Sequence, residues 1–142
     1  MVPDGEHLVP FGEARLVREG SDVTIVAISR MVLRAIEAAE HLADEGISLE
    51  IIDPRTVVPL DLNAIVKSVE KTGRLIIAHE GYTRCGIAAE IATRVMEEAL
   101  YCLEKPIRRV CGHDVPVPFA PVLENYVMPG ASDLERAVKE LR

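Results

Sequence analysis

Four short strand-like runs constrain this chain more than any other feature: Val23–Ile28, Ile47–Ile52, Leu75–Ala78 and Ile107–Val110. Val-Thr-Ile-Val-Ala-Ile and Leu-Ile-Ile-Ala are continuous and rich in β-branched residues, the mark of strands covered on both faces. Between the runs, apolar residues recur at helical spacing. Strands alternating with amphipathic helices join through right-handed crossovers into a mostly parallel sheet with helices on both faces. The expected fold class is α/β: a three-layer α/β/α domain with about five strands, one of them an antiparallel edge strand.

Residues 1–12, broken by Pro3, Gly5, Pro10 and Gly12, predict a linker arm, and 13–142 the domain. Glu13–Arg18 has charge at both ends and predicts the edge strand. The tight Gly20-Ser21-Asp22 turn predicts that this strand pairs antiparallel with Val23–Ile28. A first helix runs from Met31, capped by Ser29 and ended by Gly46, with Val32, Ala35, Ile36, Ala39, Leu42 and Ala43 on its apolar side. Asp61 caps a second helix bearing Leu62, Ile65, Val66 and Val69, with Lys67 and Lys71 near its end and Gly73 stopping it. The fourth strand is expected to end at His79-Glu80. After a loop from Gly81 to Gly86, a third helix turns Ile87, Ala88, Ile91, Val95, Met96 and Leu100 inward. Proline-rich Gly112–Gly130 reads as irregular, with a helical turn near Pro121–Asn125. Ser132 or Asp133 caps a last helix, Leu134–Leu141.

Charge excludes one class of partner. With 23 acidic against 16 basic residues, net −7, the chain lacks the basic face that nucleic acid requires. No apolar run approaches the ~20 residues of a membrane span, and the N-terminus has no secretory pattern. The expected compartment is the cytoplasm, or the mitochondrial matrix for a eukaryotic chain. Cys85, Cys102 and Cys111 fit no zinc or redox spacing and read as reduced, buried thiols.

In open parallel sheets, ligands bind beyond the carboxyl ends of the strands. Those ends carry Ser29-Arg30, Asp53-Pro54-Arg55-Thr56, His79-Glu80 and Gly112-His113-Asp114. Arg55, His79, Glu80, His113 and Asp114 are the interface or anion-binding candidates. His79 and Glu80, adjacent at a strand end, point opposite ways and are not expected to share a proton. His113-Asp114 reads as a turn-forming pair, and His41 and His7 receive no role. Nucleotide-binding glycine loops and nucleophile elbows are absent. No catalytic, cofactor-binding or metal-ligating residue is assigned.

The sequence also carries a resemblance. Ile51-Ile-Asp-Pro-Arg-Thr-Val-Val-Pro-Leu-Asp61 resembles the Asp-Leu-Arg-Thr…Pro-Leu-Asp motif of transketolase C-terminal domains. Ser68–Arg74, Ile76–Glu80, Ala88–Ala92 and Arg109–Ala120 continue it. Together they are most similar to the beta subunit of the thiamine-diphosphate-dependent, decarboxylating component of 2-oxo acid dehydrogenase complexes, from about Phe11 to Leu141. Two positions depart: Pro54 replaces the usual leucine, and Arg84-Cys85-Gly86 stands where Gly-Gly is usual before the third helix.

The resemblance implies the C-terminal, association domain of an oxidoreductase acting on pyruvate, branched-chain 2-oxo acids or acetoin. Implied partners are an alpha subunit and a second beta subunit of a heterotetramer, and the acyltransferase component. Thiamine diphosphate and magnesium belong to the full enzyme, and this domain is expected to bind neither and to be inactive alone. Two alternatives stay open: a domain of a sister enzyme of transketolase or deoxyxylulose phosphate synthase type, and a free-standing organic-anion-binding regulatory module.

Overall fold

The structure, a computed structural model, describes residues 4–6 and 8–142. Part of the expected arm (1–3 and 7, with His7) lies outside the described residues; residues 8–10 belong to no helix or strand. The elements in order are β1 (Arg15–Arg18), β2 (Val23–Ala27), α1 (Met31–Ala43), β3 (Leu49–Asp53), α2 (Leu62–Thr72), β4 (Leu75–Tyr82), α3 (Ile87–Ala99), β5 (Arg108–Gly112), α4 (Pro121–Val127) and α5 (Ala131–Leu141). A 3₁₀ turn, Leu100–Cys102, follows α3.

The sheet order is β1-β3-β2-β4-β5, with β3, β2, β4 and β5 parallel and β1 antiparallel. Strand alternation sorts the core into two layers. Val23, Ile25 and Ala27 of β2, with Leu49, Ile51, Ile76 and Ala78, pack under α1 and α5. Val26, Ile52, Leu75 and Ile77 pack under α2 and α3. The three-layer α/β/α expectation holds. At about 0.8 kcal/mol per buried CH₂, these two apolar layers are the main source of the domain's stability.

The pairing of the edge strand differs from expectation: β1 lies against β3, not β2. The β2–α1–β3 crossover places β3 directly beside β2, so the chain leaving β1 must pass under the start of β3. Three contacts hold it there. Ser21 and Asp22 N–H donate to the Ser48 carbonyl at 3.2 and 2.9 Å, and Asp22 Oδ2 accepts from Ser48 N at 2.8 Å. Gly20 permits the crossing, because a Cβ there would come 2.2 Å from the Leu49 carbonyl carbon.

Helix ends follow local chemistry. Asp61 Oδ1 accepts from Ala64 N at 3.1 Å, and Gly73 closes α2 in the left-handed conformation. Gly46 (φ +74) ends the α1 segment with Gly46 N on Ala43 O and Ile47 N on Leu42 O, a Schellman arrangement. Ser29 does not cap α1. It takes φ +58, and Arg30 occupies the cap position without a side-chain bond. Asp133 is the third residue of α5 and accepts from Gly130 N at 2.9 Å, half of a capping box.

Three further expectations are corrected. β4 runs past His79-Glu80 to Tyr82, which pairs with Gly112 after an irregularity. Met96, Leu100 and Ala43 face solvent: the helical period marked them apolar, but no element covers that side of them. Cys85 and Cys102 are exposed and Cys111 half-buried, because the first two lie in the loops flanking α3. Burial raises the Cys111 thiol pKa, with Asp114 adding to this and Arg109 opposing it.

The sequence also concealed a buried polar cluster at the amino ends of the strands. Glu50, 3 % exposed, accepts from Gly20 N at 3.2 Å, Ser68 Oγ at 2.5 Å and Lys71 Nζ. Thr24 Oγ1 joins Ser68 and Thr72 hydroxyls at 2.6 and 2.7 Å. Burial pushes the Glu50 pKa up, but the Lys71, Ser68 and Gly20 donors outweigh it and the net direction is down.

Candidate functional site

The parallel strands all end at one edge, and the sequence candidates lie along it. At the end of β3, Arg55 takes φ +57, and its N–H donates to Asp53 Oδ1 at 2.9 Å. Pro54 fixes the residue before it. No hydrogen bond or ion pair among the described residues holds the Arg55 guanidinium, which lines a cavity of about 370 Å³ with Ser29, Asp53 and Val57. The rest of this corner grips the incoming chain. Thr56 Oγ1 accepts from Gly12 N at 3.0 Å and donates to Pro59 O at 2.7 Å, while Asp61 Oδ2 accepts from Ala14 N at 2.9 Å.

His79 and Glu80 part company, as adjacent strand residues should. His79 is 5 % exposed. Its Nδ1 accepts from Gly81 N at 3.0 Å, so in the neutral ring Nε2 carries the hydrogen, and Nε2 has no partner among the described residues. Gly86 lies so close that a Cβ would stand 2.7 Å from His79 Cε1 and 2.2 Å from Tyr82 O. Burial first, then the Arg109 charge, lowers the His79 pKa. Glu80 turns the other way, toward Arg30 at 3.7 Å.

His113 and Asp114 also separate. The His113 ring meets Tyr126 of α4 edge-on, centroids 5.5 Å apart, and His113 N donates to Val127 O at 3.0 Å. Asp114 holds the loop before α3, accepting from Arg84 N at 3.0 Å and Arg84 Nε at 3.2 Å. The five candidates thus share an edge without forming one cluster. Sequence reasoning gave no role to Arg30, Arg84 and Tyr126, which partner Glu80, Asp114 and His113. Arg109 carried a readable signal, since two adjacent arginines within a short strand mark it as an edge strand.

Two observations set this edge apart. Ser29, Arg55 and Cys85, the three non-glycine residues with positive φ among the described residues, follow β2, β3 and β4 in turn. Each costs on the order of 1–3 kcal/mol and persists only where surrounding structure holds it. Cys85 at φ +55 takes the conformation a glycine would adopt freely, and Gly86 keeps the close approach. Beside them, the 112–130 segment exposes Val115, Val117, Phe119, Val122, Leu123 and Tyr126, and β4 exposes Tyr82. Apolar side chains this dense mark a contact surface.

Among the described residues no group of three or more His, Cys, Asp or Glu side chains is placed to hold a metal ion. No helix is long and apolar enough to cross a membrane.

Residues 12–134 match the family of the transketolase C-terminal domain. The chain is 46 % identical over 139 residues to the acetoin:2,6-dichlorophenolindophenol oxidoreductase subunit beta of Cupriavidus necator, covering 98 % of this chain and 41 % of that protein. It is 49 % identical over 138 residues to the mitochondrial pyruvate dehydrogenase E1 component subunit beta of Dictyostelium discoideum, covering 97 % and 39 %. Among solved structures, a split-gene transketolase in an inactive beta4 tetramer superposes with a TM-score of 0.84 at 30 % identity, over 94 % of this chain and 43 % of that one. The chain therefore spans about two fifths of the length of the curated relatives it matches.

Proposed function

Because this chain belongs to the transketolase C-terminal domain family, we propose that it is the association domain of a 2-oxo acid or acetoin dehydrogenase beta subunit. In that reading the whole enzyme is an oxidoreductase acting on an oxo group, in the cytoplasm or the mitochondrial matrix. This domain joins its beta subunit to an alpha subunit and a second beta subunit, and helps to dock the acyltransferase component. The supporting observation is the strand-end edge, which carries strained turns, an Arg55 side chain with no partner among the described residues, and an exposed apolar array. Such a surface supports recognition by another protein rather than chemistry on a small molecule.

Thiamine diphosphate and magnesium belong to the whole enzyme in this reading. Among the described residues, the side chains here do not fit magnesium. Magnesium takes carboxylate and phosphate oxygens in octahedral array, and the carboxylates at this edge are engaged: Glu80 with Arg30 and Asp114 with Arg84. No catalytic step is assigned to this chain.

The test is assembly. The full beta subunit carrying Phe119→Ser with Val122→Ser, or Arg55→Ala, is mixed with alpha subunit and followed by sedimentation. All three side chains are exposed, so the isolated domain should melt as wild type while heterotetramer formation weakens about tenfold or more. Wild-type assembly by both variants would refute the reading.

The split-gene transketolase likeness supports a second reading, a piece of a sister thiamine-dependent enzyme. The gene neighbourhood separates them: an adjacent alpha-subunit gene supports the dehydrogenase.

A further inference from the structure

β5 is the outer strand of the sheet, and its free edge borders a cleft of about 290 Å³ closed on the other side by α5 and the end of α4. Three arginines line the cleft: Arg108 and Arg109 from β5 and Arg136 from α5. Two are neutralised within it. Arg108 Nη2 lies 3.4 Å from Glu140 Oε2, and Arg136 Nη2 lies 2.6 Å from Asp133 Oδ1. Those pairs alone would guard an edge strand against unwanted pairing. Arg109 is left over. Its guanidinium has no carboxylate within ion-pair distance among the described residues; Nη1 donates to the Thr83 carbonyl at 3.0 Å.

That single bond pins the Arg109 head, and among the described residues the other guanidinium N–H groups are uncommitted. A guanidinium presents five donors in a rigid fork suited to carboxylate and phosphate oxygens. The His113 ring, steadied by its edge-on contact with Tyr126, also lines the cleft. A surplus cation, a held imidazole and concave walls occur together here on a molecule whose net charge is −7. The volume is at the small end of ligand pockets, about 300–1,000 Å³, which admits a small acid and not a dinucleotide.

We propose that this cleft binds a small oxyanion, a carboxylate or a phosphate, on Arg109, with His113 and Arg136 flanking it. Of the five anion-binding candidates named from the sequence, His113 lines this cleft. The assignment does not depend on the assembly reading, since it concerns the isolated chain, although Tyr126 belongs both to the cleft and to the exposed apolar array.

A consequence follows for two neighbouring groups. The Arg109 charge lowers both the His79 and the Cys111 pKa. An anion neutralising Arg109 must raise both, and by linkage their protonation must favour the anion.

The experiment is an NMR titration of the 142-residue chain with inorganic phosphate and, separately, with malonate, sodium chloride holding the ionic strength constant. Saturable shifts of the Arg109 Nε–H and His113 ring signals are expected, with an upward move of the His79 titration midpoint. Arg109→Gln should weaken binding about tenfold or more, as loss of a charged hydrogen-bond partner does. Arg15→Gln, on the exposed opposite edge of the sheet, should leave it unchanged. Saturation by malonate alone identifies a carboxylate site, by phosphate alone a phosphate site, and by both a general oxyanion site. Absence of saturation with either probe, or saturation equal in wild type and Arg109→Gln, would overturn the proposal.

Discussion

Replacing Gly86 by alanine isolates how tightly the strand-end edge is built. Gly86 has φ −79 and ψ 157, a conformation open to any residue, so the substitution carries no backbone strain. Its cost is steric. The new methyl would meet Tyr82 O at 2.2 Å and His79 Cε1 at 2.7 Å, and the nearer atom is backbone that cannot swing aside. We expect a loss of about 3 kcal/mol, the upper end for overpacking. Gly46→Ala is the control, with φ +74 and nothing within 4 Å of the new methyl. Its cost is purely conformational, about 1 kcal/mol. In urea, with a slope of about 2 kcal/mol/M, the midpoint should fall by about 1.5 M for Gly86→Ala and about 0.5 M for Gly46→Ala. In a His79→Ala background the Gly86→Ala penalty should shrink without vanishing, since only one of the two clashes is relieved. Equal midpoints for the two single variants would refute the close approach, and with it the sealed position of His79.

Two pH effects follow from buried groups. The His79 pKa is lowered in the fold, so the unfolded chain takes up a proton first as pH falls; stability should decline from about pH 6.5 downward and level off below the folded pKa. His79→Gln should flatten that decline in urea melts at successive pH values; an unaltered profile would count against it. Glu50 has the opposite sign. Its lowered pKa stabilises the fold above the unfolded carboxylate pKa of about 4.3, and that contribution is lost as pH falls through the folded value. Glu50→Gln, which removes the charge that pairs with Lys71 but keeps an acceptor for Ser68, should cost about 1–2 kcal/mol at neutral pH and nearly nothing in acid. A cost that stays constant with pH would assign the effect to packing alone.

What the sequence disclosed depended on whether the signal was local. Asp61, Gly46 and Gly73 act through bonds to residues three to five positions away, and each was legible in its own segment. The alternation of runs likewise sufficed for the layers. Strand order was not legible, because the Gly20 turn suits a hairpin equally well and only the β2–α1–β3 crossover decides against it. Met96 and Leu100 show the limit of periodicity, which reports that a side is apolar but not what covers it. At the candidate site, the convergence of strand ends was readable from topology. The partners were not: Arg84 with Asp114 spans 30 positions, and Arg30 with Glu80 lies across separate segments of the chain.

The grip of Thr56 and Asp61 on Gly12 and Ala14 has a consequence for anything joined upstream. β1 runs against β3, with Arg15 opposite Asp53, so the chain is clamped in at the same edge that carries Arg55 and ends β2, β4 and β5. A polypeptide joined upstream of that clamp through a short flexible linker would meet this edge at an effective concentration of about a millimolar. Contacts too weak to hold two separate molecules together would then suffice, and the edge can stay soluble when bare yet be occupied whenever its tethered neighbour is present.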